Sequence, residues 1–246
     1  MTIQSASDLT GLERAGHLVA RTLDAMRAAV RPGITTGAID DVAARFARGE
    51  GARSAPQLAY DFPGFTCISV NDEIVHGIPG ARVLRGGDVV KLDVTLEFAG
   101  YIADAAVTVL VPPAAASARA LQRCARQAFN AALRAARAGV RLVDLGAAVE
   151  REVAHHGFAV VRELTGHGVG RRIHESPPVP NWSDPGARGV LTAGLVIALE
   201  PMVTPRPTRV VEDRDGWTLR TLDGSLAVHH EHTVLVRDGN PMVLTA

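Results

Sequence analysis

Two aspartates stand where aspartate is rarely found. Asp93 lies inside the apolar run Lys91-Leu92-Asp93-Val94-Thr95, and Asp104 inside Tyr101-Ile102-Ala103-Asp104-Ala105-Ala106-Val107, although Asp is disfavoured in strands. Two glutamates repeat the pattern, in Leu199-Glu200-Pro201-Met202 and His230-Glu231-His232-Thr233. Taken singly, such an acid is more often a turn residue or a core residue with a polar partner. Burying an unpaired carboxylate, however, costs several kcal/mol. Acids in the strands of one sheet cannot satisfy one another, because like charges at close range do not all stay ionised. Divalent metal is the simplest solution. Two such ions would match the charges of Asp93, Asp104, Glu200 and Glu231.

A fifth candidate is His167, in Thr165-Gly166-His167-Gly168-Val169-Gly170. Glycines around one histidine let the backbone approach something closely; the competing reading is a flexible loop whose histidine is incidental. Oxygen ligands with an imidazole suit Mn, Fe(II), Co or Zn better than a structural zinc, which prefers thiolates. His76 in Val75-His76-Gly77-Ile78-Pro79 and His174 in Ile173-His174-Glu175-Ser176-Pro177 are flanked by turn formers. Each alone reads as a surface histidine; both fit loops beside a cleft. His17, His155 and His156 fall on or beside predicted helices and need no special role.

The elements that must position these residues follow from periodicity. Leu12, Ala15, Val19, Leu23, Met26 and Val30 have helical spacing, ended by Pro32-Gly33. A second helix is predicted over 36–48. Strands are predicted over 65–70, 89–96 and 101–111, the last two joined as a hairpin through Glu97 to Gly100. A helix over 118–138 and another over 143–154 come next, then strands over 195–203 and 226–237. The order repeats at an offset of 106 residues: Arg31 matches Arg137, Gly33 matches Gly139, Ile34 matches Val140 and Ile39 matches Leu145. A long helix, a glycine turn and a shorter helix, recurring in that order, predict two related α+β halves. No linker divides them.

Composition bounds the rest. The 246 residues are 47% hydrophobic, enough for a sizeable core. Formal net charge is zero, from 26 basic and 26 acidic residues, with no block of one sign. A binder of nucleic acid or membrane resting on a basic patch is therefore not expected. Lys91 is the only lysine among many arginines, read here as the bias of a GC-rich genome. Cys67 and Cys124 make neither a disulfide framework nor a zinc site. The first residues lack the apolar core of a signal peptide, and no run of about 18 apolar residues could span a bilayer. A cytoplasmic protein is expected.

Taken together, Cys67-Ile68-Ser69-Val70-Asn71-Asp72-Glu73-Ile74-Val75-His76-Gly77-Ile78-Pro79, Gly87-Asp88 through Asp93-Val94-Thr95, Thr165-Gly166-His167-Gly168-Val169-Gly170-Arg171, Glu200-Pro201-Met202 and Glu231-His232-Thr233 resemble type I methionine aminopeptidase. The resemblance runs from about residue 10 to 240. It implies the α+β pita-bread fold, two pseudo-symmetric halves around a shared antiparallel sheet, as a single catalytic domain over 1–246 with an extension of about ten residues. It implies two divalent metal ions, of Co, Mn, Fe(II) or Zn, bridged by Asp104 and Glu231. Asp93 would complete one site, and His167 with Glu200 the other. A bridging water would attack the scissile carbonyl, with Glu200 as proton acceptor, His174 stabilising the oxyanion and His76 assisting near the amide. Tyr60, Phe62, Cys67 and Trp217 would line the pocket for the methionine side chain. The implied substrate is the N-terminal methionine of nascent polypeptides when a small residue follows. Ribosome association is implied by family analogy only, and a monomer is expected.

The sequence departs from the family pattern in three places. Around the second aspartate it has Ala103-Asp104-Ala105-Ala106 where the family carries neighbouring hydroxyls, which predicts a weaker hold on that ligand. The loop Tyr60-Asp61-Phe62-Pro63 is a residue shorter than usual. His229 replaces a glutamine. If 226–237 is one regular strand, His229 and Thr233 point with Glu231 toward the metals, and His230 and His232 point away. His229 then either contributes a hydrogen bond or weak ligand, or merely packs beside the site. Two rival functions remain: a proline-specific aminopeptidase or prolidase, which usually carries a large N-terminal domain, and a non-catalytic binding protein of the same fold, which loses ligands that this chain keeps.

Overall fold

The computed structural model describes residues 1–246. Three of its helices begin where the sequence supplies caps. Helix α1 (Ala6–Ala29) starts at Ser5, whose hydroxyl accepts from the Asp8 amide, six residues before the first residue of the predicted stripe; that polar first turn has no apolar period to reveal it. Helix α2 (Thr36–Gly49) is capped by Thr35 through the Ala38 amide. A short helix not expected from the sequence, α3 (Ala55–Tyr60), is capped by Ser54 and carries a proline in its first turn. Helices α4 (Ala116–Ala135) and α5 (Leu142–His155) complete the set.

One sheet organises the molecule. Its strands run in the order Arg53–Ser54, Val89–Phe98, Tyr101–Leu110, Glu231–Leu235, Val196–Leu199, Gly166–Gly168 and Glu175–Val179, all antiparallel. The hairpin 89–110 belongs to the first half of the chain and the strands beyond it to the second, so the halves meet where Tyr101–Leu110 pairs with Glu231–Leu235. That seam is narrow: only Glu231↔Ala106 and His232↔Ala105 are in register. Side chains alternate across a strand. Leu92, Ala103 and Ala105 therefore pack with α1 and α2, and Ile197, Leu199 and Val234 with α4 and α5. Asp93, Asp104, Glu231 and Thr233 face the other way.

The repeat seen in the sequence recurs in the backbone. Gly33 and Gly139 turn at φ of 87° and 86°, in the left-handed region that favours glycine. The Gly33 amide donates to Leu84 O at 2.9 Å and the Gly139 amide to Leu191 O at 2.9 Å; Leu84 N and Leu191 N return bonds of 2.8 Å to Ile34 O and Val140 O.

Two predicted strands are each broken in two. The expected strand 195–203 is Val196–Leu199 and Met202–Thr204, and the expected strand 226–237 is Val228–His229 and Glu231–Leu235. Pro201 has no N–H to give a ladder. At that point both chains leave the large sheet and pair again in a second one, with Met202 opposite His229, whereas Leu199 still faces His232 in the first. Glu200 and Glu231 thus sit at a joint shared by two sheets.

Candidate metal centre and substrate cleft

Asp93 and Asp104 occupy opposite arms of the hairpin, and the register builds the site outward from them. Ala106 is the direct partner of Asp93 on one side and of Glu231 on the other. Its methyl group leaves room between the two acids. Thr95 is directly opposite Asp104, and its hydroxyl donates to Asp104 Oδ1 at 2.8 Å. Ala105-Ala106 offer Asp104 no hydroxyl; the one it receives comes from the other arm of the hairpin. Thr233 accepts from the Asp104 amide and donates to its carbonyl, both at 2.8 Å. Thr108 treats His229 the same way, accepting from its amide at 2.9 Å and donating to its carbonyl at 2.8 Å. Two threonines thus stitch the seam beyond its short ladder and fix the backbone of the site residues. Of the three threonines, the sequence pointed only to Thr233, by its strand face. Strand parity was the available signal, since Thr95 and Thr233 each lie two residues from an acid.

His167 enters on the short strand Gly166–Gly168. A Cβ at Gly166 would stand 2.4 Å from Ala198 O, and one at Gly168 2.4 Å from Ser176 O, so glycine is required for this strand to pack so closely. His167 Nδ1 lies 2.9 Å from Gly168 O. With the proton there, the lone pair of Nε2 faces Glu200 Oε1 at 3.4 Å and Asp104 Oδ2 at 3.9 Å. His174 packs its ring against His167 at 4.4 Å between centroids, and its Nδ1 meets the Tyr60 hydroxyl at 2.7 Å. The turn before it is held by Glu175, which accepts from the Arg171 and Arg172 amides and pairs with the Met1 ammonium. His76 has φ of 59°, a left-handed conformation fixed by its neighbour: the Gly77 amide donates to Ser69 Oγ at 2.9 Å, and its carbonyl accepts from Ile68 N at 2.9 Å.

The electrostatics are those of a cluster that needs a cation. Burial, reinforced by Asp104, drives the Asp93 carboxyl well above its ordinary value. Burial raises Asp104 to about 7. Glu200 and Glu231 are driven well above the usual range by burial and then by the other acids. No arginine or lysine pairs with any of the four; their only near charges are the imidazoles of His167 and His229. Those are held neutral, His167 at about 4 and His229 at about 3, by burial first. Two sets of ligand atoms converge within 4.8 Å: Asp104, His167 and Glu231, and Asp93, His229 and Glu231. Carboxylate oxygens with imidazole nitrogen suit a first-row divalent ion, so the residues fit the metals that the resemblance implies.

All eleven residues selected from the sequence line one cavity of about 720 Å³. Its metal-facing wall carries the acids and His167, its rim His76 and His174. The cavity also has apolar lining: Phe62 meets Trp217 edge to face at 5.2 Å, and Cys67, Val75 and Met202 line the same cavity. Asp61, at φ of 56°, ends α3 and turns Phe62 inward. Cys67 is directly opposite Asp93 on the next strand, and burial raises its thiol well above the ordinary value, so it acts as an apolar wall. Tyr60 is the exception, half exposed and turned to His174 rather than into the apolar lining. The parity argument for His229 holds across the break: its Nε2 approaches Glu200 and Glu231, while His230 and His232 pack on Phe129.

Comparison with known proteins agrees with this arrangement. The sequence model of metallopeptidase family M24 matches residues 10–238. Methionine aminopeptidase 2 of Bacillus subtilis is 38% identical over 247 residues, covering 100% of this chain and 99% of that protein. The crystal structure of methionine aminopeptidase from Thermotoga maritima superposes with a TM-score of 0.96 at 36% identity, over 100% of this chain and 99% of that one. Prolidase from Pyrococcus furiosus shares the fold, with a TM-score of 0.81 at 20% identity, and this chain spans 65% of it. The expected two-halved fold is the one these relatives have.

Proposed function

The chain belongs to metallopeptidase family M24, and from that premise we propose that it removes the N-terminal methionine from nascent polypeptides as a type I methionine aminopeptidase. The observation that carries this reading is that five metal-ligand candidates share one cleft with the apolar lining of Phe62, Cys67 and Trp217. The single catalytic domain implied by the resemblance is kept as part of the proposal.

Asp93, Asp104, His167, Glu200 and Glu231 are the residues that would hold divalent metal, the resemblance implying that Asp104 and Glu231 would serve two ions, Asp93 one of them and His167 with Glu200 the other. Metal bound there, of Co, Mn, Fe(II) or Zn, would supply Lewis acidity and acidify a water. Glu200 is the acid placed to take up the water's proton. With Tyr60 as the donor in its 2.7 Å contact to His174 Nδ1, the His174 proton is on Nε2, the form that donates to a carbonyl oxygen as negative charge develops there. His76, kept neutral at about 4 by burial and then by His174, supplies a second imidazole for the scissile amide. The unbranched methionine side chain is expected to lie against the Phe62–Trp217 pair in the apolar lining, with a small second residue beyond it. The protein is placed in the cytoplasm, where initiator methionine is exposed on new chains, and is taken to work as a monomer; ribosome association rests on family analogy.

The test is a matrix of metals against peptides on metal-stripped protein. Met-Ala-Ser and Met-Ser peptides should be cleaved with at least one of the four metals, Met-Leu and Met-Lys peptides poorly, and Ala-Pro-Pro not at all. Equal rates across the methionine series, or preference for the proline peptide, would overturn the assignment.

A further inference from the structure

His229 is unlike any other histidine in the molecule. Its side chain is 2% exposed, and neither ring nitrogen has a hydrogen-bond partner; they are the only such side-chain atoms. Each unsatisfied buried polar atom costs about 1–3 kcal/mol, so a position that keeps both needs another reason. The backbone is held on its N–H and its C=O by Thr108, so the ring is aimed from a fixed base. It is aimed at acids. Nε2 stands 3.5 Å from Glu200 Oε2 and 3.6 Å from Glu231 Oε2, too far for good hydrogen bonds. Two ligand atoms each about 2.1 Å from one ion, at octahedral or tetrahedral angles, stand about 3.0–3.4 Å apart. The Glu231 spacing is thus close to that of atoms sharing an ion, and an Asp93 oxygen converges on the same pair within 4.8 Å.

We propose that His229 is itself a metal ligand, completing with Asp93 and Glu231 the cation site at the hairpin end of the cluster. The proposal rests on the reading of the carboxylate cluster as a metal centre. The two converging ligand sets, Asp93·His229·Glu231 and Asp104·His167·Glu231, then each contain one imidazole, with Glu231 common to both. Without His229 the hairpin-end site is all oxygen, a donor set suited to Mg or Mn. With it the site gains a nitrogen donor and shifts toward Co, Ni and Zn. Glutamine at this position supplies at best a carbonyl oxygen, so the difference is one of donor chemistry.

The test uses full-length protein, stripped of metal and titrated with Co(II) or Mn(II), as wild type and His229→Gln. Imidazoles bound to Co(II) give hyperfine-shifted ring N–H signals in proton NMR. Two are expected in wild type, from His167 and His229, and one in the variant. In calorimetry the Co(II)-to-Mn(II) affinity ratio of one site should fall by about tenfold or more in the variant, an effect at least as large as those seen for groups that only contact a ligand. One shifted N–H in wild type, with two Co(II) ions bound, overturns the proposal and leaves the metal centre standing; this measurement needs no variant to fold. An unchanged affinity ratio with two ions bound in both proteins also overturns it. Failure of wild type to bind Co(II) at all would instead overturn the metal-centre reading beneath it.

Discussion

Two groups of buried acids in this molecule meet opposite fates. Glu73, with 9% of its side chain exposed, receives Arg82 Nη1 at 2.6 Å and Arg220 Nη2 at 3.1 Å, and its other oxygen accepts from the Val70 amide at 2.6 Å. Its charge is neutralised by the chain itself. Asp104, Glu200 and Glu231 are as deeply placed, with Asp93 partly buried beside them, yet no guanidinium or ammonium reaches them. Lys91, buried two residues from Asp93 on the same strand face, gives its ammonium to Asn71 O at 2.8 Å and pairs with none of the four. A carboxylate that the fold pairs is part of the framework. Carboxylates that the fold gathers and leaves unpaired form a seat for a cation from outside.

The sharpest way to break this comparison is to remove charge from the unpaired group. Asp104→Asn or Glu231→Gln, each removing an acid assigned to both ions, should lower methionine-releasing activity by about 10³-fold or more, with loss of bound metal measured by elemental analysis. Near-normal turnover with both ions retained would break it.

A smaller effect concerns the chelated protein. The folded-state carboxyls are raised, Asp104 to about 7 and the others well above their ordinary values, while unfolded acids titrate near 4. A raised group stabilises the fold below its unfolded pKa and loses that contribution as pH climbs through the folded value. Buried histidines and Lys91 titrate in the same range, so the informative quantity is a difference in which they cancel. Chelated Glu231→Gln should gain stability relative to chelated wild type as pH rises from about 5 to 8, by up to about 1.4 kcal/mol per pH unit. Saturating Co(II) should reverse the order. Parallel thermal-unfolding curves for the two chelated proteins at every pH would contradict the account.

The smallest effect belongs to the paired group. Glu73→Gln strands two arginines whose side chains are 39% and 31% exposed, so water screens much of the loss. Destabilisation of about 1–2 kcal/mol is expected, seen in denaturant midpoints, with Co(II) stoichiometry unchanged. If Glu73→Gln lost metal as Glu231→Gln does, the division between the two groups would fail.

Much of the site was legible because acids in strands violate local preference, and a violation marks a residue held for chemistry. Asp93, Asp104, Glu200 and Glu231 announced themselves in this way, and the glycines around His167 likewise. Glu73 shows the limit of that rule: it also sits in an apolar strand, and nothing local separates it from Glu231. The arginines that pair it come from nine and 147 positions away. The bonds made by Thr95, Thr108 and Thr233 were illegible for the same reason, although parity had put Thr233 on the site face, since a threonine in a strand breaks no preference and its partner lies across a sheet. The broken strands at Pro201 and His230 were half legible. The proline was in view, but the second sheet that receives both chains was not.

The sequence by itself determined the helix stripes, the hairpin, the repeat at 106 residues and the residue types of the site, because these follow from spacing and from the local cost of each residue in its element. The tertiary structure alone decided which buried acids meet a guanidinium and which meet only one another. It also decided that the hydroxyl on Asp104 comes from Thr95 and that His229, which parity had aimed at the acids, keeps both nitrogens free. Those are contacts between segments distant in the chain, and whether a buried charge is satisfied depends on what the fold brings within about 3 Å of it, which no local pattern encodes.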